Sequence, residues 1–257
     1  MKNKIIHCII SIVYIIVSLS FCYAARNEKN RDSLIVVLKN KNARVKAANA
    51  LADIGDKHSI EALINVLQDR DENVRFMVIL SLGRIGDKKV IEPLMEILSE
   101  ARSSPVVFRF ASYGLPISVP CSTYVPTMGD DSIASLEEIQ NATEWALENI
   151  GEPAVPALIG ALKDESASVR YLILNTLRGI DDDRIIKAII GLLKDEEEYI
   201  RANAAQILGY KGDEDCIEPL EGLLEDETEL VKRSAAIAIK ELKKKSEQVK
   251  ESNRKED

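Results

Sequence analysis

After its first two dozen residues the chain of 257 holds one histidine, His58, and two cysteines, Cys121 and Cys216. Histidine is the usual general base and metal ligand near neutral pH. A single imidazole followed by Ser59 supplies neither a metal set nor a proton relay. Cys121, close to Tyr124, is the other candidate nucleophile, but no histidine base lies nearby and no Gly-rich or elbow signature surrounds it. The acid runs Asp181-Asp182-Asp183 and Asp195-Glu196-Glu197-Glu198 offer carboxylate oxygens of the kind Ca²⁺ prefers. They lack the glycine spacing of a calcium loop and read as solvated caps in polar turns. The triplet Asn141-Ala142-Thr143 matches a glycosylation acceptor but falls inside a predicted helix. No catalytic, cofactor-binding or metal-binding residue is therefore assigned, and no cofactor is expected.

What positions these groups is a repeat. The stretch Tyr199-Ile200-Arg201-Ala202-Asn203-Ala204-Ala205-Gln206-Ile207-Leu208-Gly209 returns along the chain at steps of roughly 31 residues, which places Arg44, Arg75, Phe108, Gln140, Arg170 and Lys232 opposite Arg201. Each repeat holds two helical patterns. In Lys57 to Leu67 the apolar residues Ile60, Leu63, Ile64 and Leu67 form the stripe of an amphipathic helix. A polar turn, Gln68 to Asn73, follows. The second helix runs from Val74 through Ile79, Leu82 and Ile85 to Gly86, where the absence of Cβ suits a left-handed cap. The pattern predicts that positions one before and three, seven and ten after the arginine place are buried, as with Val74, Val78, Leu82 and Ile85.

The phrases Val74-Arg75, Leu82-Gly83-Arg84-Ile85-Gly86-Asp87, Ile91-Glu92-Pro93-Leu94 and Ile217-Glu218-Pro219-Leu220 resemble the HEAT family, specifically the short bacterial HEAT-like repeats also found in phycobilisome lyases. The resemblance covers about residues 31–243. It implies an all-α fold, an α-solenoid of about seven HEAT-like helix pairs. It also implies ladders between neighbouring repeats, formed by an Asp of the turn and an Arg opening the second helix. The corresponding pairs are Asp69 with Arg75, Asp164 with Arg170, Asp195 with Arg201, and Asp226 with Lys232. Deoxyhypusine hydroxylase, a HEAT-like enzyme, binds two irons through His-Glu pairs, and no His-Glu dipeptide occurs here. Between Ala101 and Ile133 the pattern fails. Residues 105–115 still read as a second helix, but 116–131, with Pro116, Pro120, Pro126 and Gly129, form an irregular loop where a first helix is expected.

Residues 1–24 differ from the rest: Lys2 and Lys4, an apolar run from Ile5 to Phe21, then Cys22-Tyr23-Ala24. They read as a signal peptide cleaved after Ala24, leaving a 25–243 solenoid and a charged 244–257 tail. The alternatives are an uncleaved membrane anchor and a lipidated Cys22. Cleavage would leave a periplasmic or extracellular protein of bacterial type, with no membrane insertion. The net charge of −8, more negative still without Lys2 and Lys4, argues against nucleic acid, since phosphate binding draws on Lys and Arg. Cys121 and Cys216 fall in different repeats and are expected to be unpaired.

A repeat of this kind supplies surface rather than chemistry. The expected function is a scaffold holding a protein or peptide partner on its concave side, which the second helices line in HEAT-like solenoids. Positions two, five and nine after the arginine place would face that groove. They give Met77, Leu80 and Arg84; Phe110 and Tyr113; Trp145 and Asn149; Leu172 and Asn175; and Tyr210. Met77, Leu80, Phe110, Tyr113, Trp145 and Leu172 would form one apolar patch beside the 116–131 loop. The alternatives are a lyase-like or other accessory enzyme using groups of that loop, and a structural envelope protein without a discrete ligand. The oligomeric state is left open.

Overall fold

The computed structural model describes residues 29–36, 38, 44–100 and 135–256. The leader, the phrase at 105–115 with Phe108, Phe110 and Tyr113, and the 116–131 segment with Cys121 lie outside the described residues. The chain divides into two compact units, one ending at Ile85 and one beginning at Gly86. Every regular element among the described residues is helical.

The first unit contains α1 (residues 29–36), α2 (Arg44–Ile54), α3 (Lys57–Ile64) and α4 (Glu72–Ile85). Asp56 caps α3, its Oδ1 accepting the Ser59 amide at 2.8 Å, and its Oδ2 accepts a hydrogen bond from Arg31 Nη1 of α1 at 2.7 Å. Ile60 and Leu63 of α3 and Val74, Val78 and Leu82 of α4 are buried, as the periodicity predicts, whereas Ile64 and Ile85, read into the same stripes, are half-buried near the ends of their helices. Gly86, at the start of the second unit, has φ of 69°. The expected left-handed cap is there, and it ends the helix.

The second unit begins with α5 (Ile91–Ser99) and continues through α6 (Leu136–Ile150), α7 (Val155–Ala161), α8 (Ala167–Gly179), α9 (Arg184–Gly191), α10 (Glu198–Lys211), α11 (Ile217–Glu221) and α12 (Glu229–Glu256). Helices α7, α9 and α11 are first helices; α6, α8, α10 and α12 are second helices. Each second helix packs on the next, and α7 packs on α8 and α9. Helix α5 packs on α6 and α7 in the same way. It thus serves as first helix to α6, and the pair closes across 101–134. A capping box starts α6: Ser135 accepts the Glu138 amide while Glu138 accepts the Ser135 amide.

The buried stripe follows the predicted columns. Ile139, Thr143, Leu147 and Ile150 of α6 and Val169, Ile173, Leu177 and Ile180 at α8 are all buried. Close approach between α10 and α12 depends on Gly209, where a Cβ would lie 2.7 Å from Ala238 Cα. The charged 244–256 stretch, expected as a frayed end and tail, is helical to Glu256 as the continuation of α12. Its side chains reach back to the preceding elements. Lys245 Nζ donates to the carbonyl oxygens of Gly209, at 3.1 Å, and Tyr210, while Ser246 Oγ and Lys250 Nζ donate to Glu214 at 2.9 and 3.2 Å.

Candidate functional site

The turns that lead into α4, α8, α10 and α12 are each built on one aspartate. Asp69, Asp164, Asp195 and Asp226 each accept, through Oδ1, the backbone amide two residues on, at 2.9 to 3.0 Å. This is the Asx geometry of a tight turn and employs the acids structurally. The arginine that opens a second helix completes the turn. Arg170 donates through Nη1 to the carbonyl oxygens of Asp164 (2.9 Å) and Glu165 (3.1 Å), the turn of its own repeat. Its Nε and Nη2 fork onto the carboxylate of Asp195 in the next repeat at 2.8 and 2.7 Å. Arg201 repeats this, with Nη1 on the carbonyls of Asp195 and Glu196 and a fork at 2.8 and 3.0 Å onto Asp226.

This corrects the ladder inferred from the resemblance. Arg170 and Arg201 meet the backbone of their own turn aspartate and the carboxylate of the following one, 25 residues on. Asp195 belongs to Arg170, and Asp226 to Arg201 rather than to Lys232. Both pairs are almost fully buried. Arg201 holds the Asp226 carboxyl down at about 2. The ladder fixes the step between repeats, and hence the spacing of whatever the second helices display.

The display itself follows a second regularity. The side chain five residues after the arginine place on one helix meets the side chain two after it on the next. Asn203 Nδ2 donates to Asn175 Oδ1 at 3.0 Å, and Gln206 Nε2 to Ser234 Oγ at 3.2 Å. Each amide keeps further hydrogen-bonding capacity, since Asn and Gln offer two N–H donors and a two-lone-pair acceptor. Tyr171 and Tyr199 bridge α8 and α10 edge to face, with centroids 6.1 Å apart. At the C-terminal ends of the helices lysines take carbonyl groups left free by the helix. Lys211 Nζ donates to the Ile180 carbonyl at 2.7 Å, and Lys245 caps α10 while its ammonium lies 5.8 Å from the Tyr210 ring centroid.

The groove positions read from sequence fall into three groups. In the second unit Asn175 and Trp145 are half-buried, Asn149 is exposed, and Tyr210 is 63% exposed. Leu172 is only 5% exposed, covered because α6 and α10 flank α8. In the first unit Leu80 is buried and Met77 half-buried, while Arg84 is exposed and ion-paired with Asp53. Phe110 and Tyr113 lie outside the described residues. Within the second unit, Trp145 and Leu172 occupy the register positions that Asn175 and Asn203 pair across one repeat later. His58 is exposed in the first turn of α3, and Cys216 is a buried free thiol.

Sequence reasoning missed an acid pair on α6. Glu144 is buried, and burial pushes its carboxyl up to about 8; Glu148 is pushed up to about 7 by the same cause. The charge of Arg178 opposes both shifts. A Cβ on Gly179 would lie 2.2 Å from the Glu148 carboxyl carbon, so α8 leaves that space for it. Burial lowers the Lys211 ammonium. The signal was present in the repeat columns: Glu144 stands where Ile79, Leu174 and Ala205 stand in other second helices, all of them buried. A charge in an apolar column is visible only once the repeats are superposed.

The HEAT repeats family model matches residues 32–111 and 185–251, more than half of the chain. No curated protein sequence matches significantly. Among solved structures, the chain is similar to the archaeal HEAT-like repeats protein from Thermococcus onnurineus NA1, with 13% identity and a TM-score of 0.44 over 87% of this chain and 90% of that one. It is similar to the complex of CpcE and CpcF of phycocyanin lyase from Nostoc sp. PCC7120, with 19% identity and a TM-score of 0.37 over 86% and 85%. Human deoxyhypusine hydroxylase gives 22% identity and a TM-score of 0.39 over 83% and 84%. With helix pairs stacked through these turns and the family model matched on both sides of the 116–131 segment, the chain is an all-α solenoid and belongs to the HEAT-repeat family.

Proposed function

We propose that this protein is an exported scaffold that holds a protein or peptide partner on the surface lined by its second helices, the concave side in solenoids of this type. The observation that carries the reading is the row of amide side chains Asn175, Asn203 and Gln206 on successive second helices. They stay on the surface at a spacing locked by the buried arginine forks, and each retains hydrogen-bonding capacity for a peptide backbone. Half-buried Trp145 and exposed Tyr210 add aromatic surface of the kind that anchors interfaces. Export rests on the leader, with Lys2 and Lys4 before an apolar run.

The test is capture of partners from an envelope fraction by the full chain and by two variants with intact circular dichroism. Asn175→Ala with Asn203→Ala and Tyr210→Ala should lose the partner, whereas Lys187→Ala with Glu218→Ala, on first helices, should keep it. Equal capture by both would sink the surface assignment. N-terminal sequencing of the protein from its native host should begin at Ala25; an intact Met1 or a lipidated Cys22 would replace the exported reading with an anchored one.

A further inference from the structure

The second helices α8 and α10 each turn one flank toward the second helix that follows. Residues one, five and eight after the arginine place lie on that forward flank. Tyr171 meets Tyr199 of the next helix, Asn175 and Gln206 bond to Asn203 and Ser234, and Gly209 receives Ala238. The residue four after the arginine place lies within the same flank and is closed off, as Leu174 and Ala205. At the ends of the first helices α7 and α9 the matching leucines, Leu162 and Leu193, are 6% and 4% exposed.

On α12, the last second helix, this flank is open. Lys232 holds the arginine place, so the forward residues are Arg233, Ala236, Ile237 and Lys240, and all four are exposed, Ile237 to 53%. Leu224, which matches Leu162 and Leu193 one repeat later, rises to 39%. Lys244, four residues after Lys240 and also exposed, prolongs the stripe. Arg233, Lys240 and Lys244 close no hydrogen bond or ion pair with any described residue. Between Val231 and Ser246 the helix carries six cations and one acid, Glu241, in a chain whose net charge is −8. An apolar strip framed by unpaired cations is thus left where a further helix would stack.

We propose that the open flank of α12 takes an acidic amphipathic helix of another protein, which stacks on it as α12 stacks on α10. Apolar side chains of that helix cover Ala236, Ile237 and Leu224, and its carboxylates meet Arg233, Lys240 and Lys244. The stack selects a helix, since the forward flanks of α8 and α10 each receive one. Charge selects an acidic one, and it disfavours a second copy docked α12 to α12, which would set the same cations against each other. A membrane surface would need a wide apolar face. That of α12 is already spent, with Val231, Ala235, Ala238, Ile239 and Leu242 buried and the helix packed on α10 and α11. The site goes beyond the amide row and uses none of Asn175, Asn203 and Tyr210.

The test follows fluorescence anisotropy of labelled helical peptides of about 18 residues, with one leucine face and flanks of glutamate, glutamine or lysine, against the full-length protein at fixed ionic strength. The glutamate peptide should bind about tenfold tighter than the glutamine one, and it should weaken about tenfold in Arg233→Glu with Lys240→Glu and in Ile237→Asp. Lys88→Glu with Lys187→Glu changes the net charge equally at other exposed positions and should leave binding within about twofold. The lysine peptide should bind the Arg233→Glu, Lys240→Glu variant better than it binds the wild type. No preference for the glutamate peptide, or equal loss in both double variants, overturns the proposal. So does either rival occupant: a dimer in sedimentation, or binding to phosphatidylserine vesicles, that Arg233→Glu with Lys240→Glu abolishes. Each of these results leaves the amide-row reading standing, because that reading rests on the capture experiment with Asn175, Asn203 and Tyr210.

Discussion

Arg170 and Asp195, 25 residues apart in sequence, meet in a buried two-pronged ion pair at 2.7 and 2.8 Å, and Arg201 and Asp226 meet in the same way one repeat later. Each arginine thus ties the backbone of its own turn to the carboxylate of the next. Asp195 is partner to Arg170 through its side chain and to Arg201 through its carbonyl oxygen. The turns at Asp164, Asp195 and Asp226 form one continuous hydrogen-bonded row.

Breaking that row should be costly. Arg201→Ala leaves the Asp226 carboxylate and two turn carbonyls without their donor, and the expected loss is about 3 kcal/mol, the scale for removing one member of a buried ion pair. Arg201→Lys should recover only part of it, because an ammonium cannot reproduce the fork. Urea denaturation followed by circular dichroism measures both. A midpoint unchanged in Arg201→Ala would show the fork to be dispensable.

The pH dependence of stability should have two limbs of opposite sign. Asp226 lies below its ordinary value, so its contribution is complete above about 3.8 and is lost as pH falls through about 2. Glu144 and Glu148 lie above theirs, so their contribution is complete below about 4.5 and is lost as pH rises through about 7 and then about 8. Stability should therefore peak in mildly acid solution. Glu144→Gln should flatten the alkaline limb while leaving the acid one untouched. A wild-type melting temperature that holds steady across the alkaline limb would contradict the burial argument.

Two glycines should respond differently to the same substitution. At Gly209 a methyl group would run into Ala238 Cα at 2.7 Å, backbone that cannot swing aside, and Gly209→Ala should cost about 1–3 kcal/mol through overpacking. At Gly86 there is open space, but φ is 69°. Gly86→Ala should cost about 1 kcal/mol as left-handed strain alone. Thermal unfolding of the two variants side by side separates contact from conformation.

The end of α12 offers a truncation test. Residues 243–251 are exposed except for half-buried Ser246, and they hold on through Lys245 and through the Glu214 contacts. Ending the chain at Lys243 should remove helical circular dichroism while lowering stability by about 1 kcal/mol or less, the worth of exposed ion pairs. A large drop in melting temperature would mean that the extension supports the stack.

The period, the two helices per repeat, the buried columns and the cap at Gly86 were legible in the sequence, because each rests on residues three to seven apart whose spacing is dictated by one helix turn. The turn aspartates were legible as caps for the same local reason. Three features were decided only by the tertiary structure. Arg170 takes the aspartate of the next repeat because the stacking step, which no local pattern encodes, brings Asp195 to its guanidinium. Helix α5 serves as first helix to α6 because apolar faces pair in space without regard to the residues between them. Glu144 is a buried acid because α8 lies over it, and a glutamate on a helix surface looks the same in sequence whether water or another helix covers it.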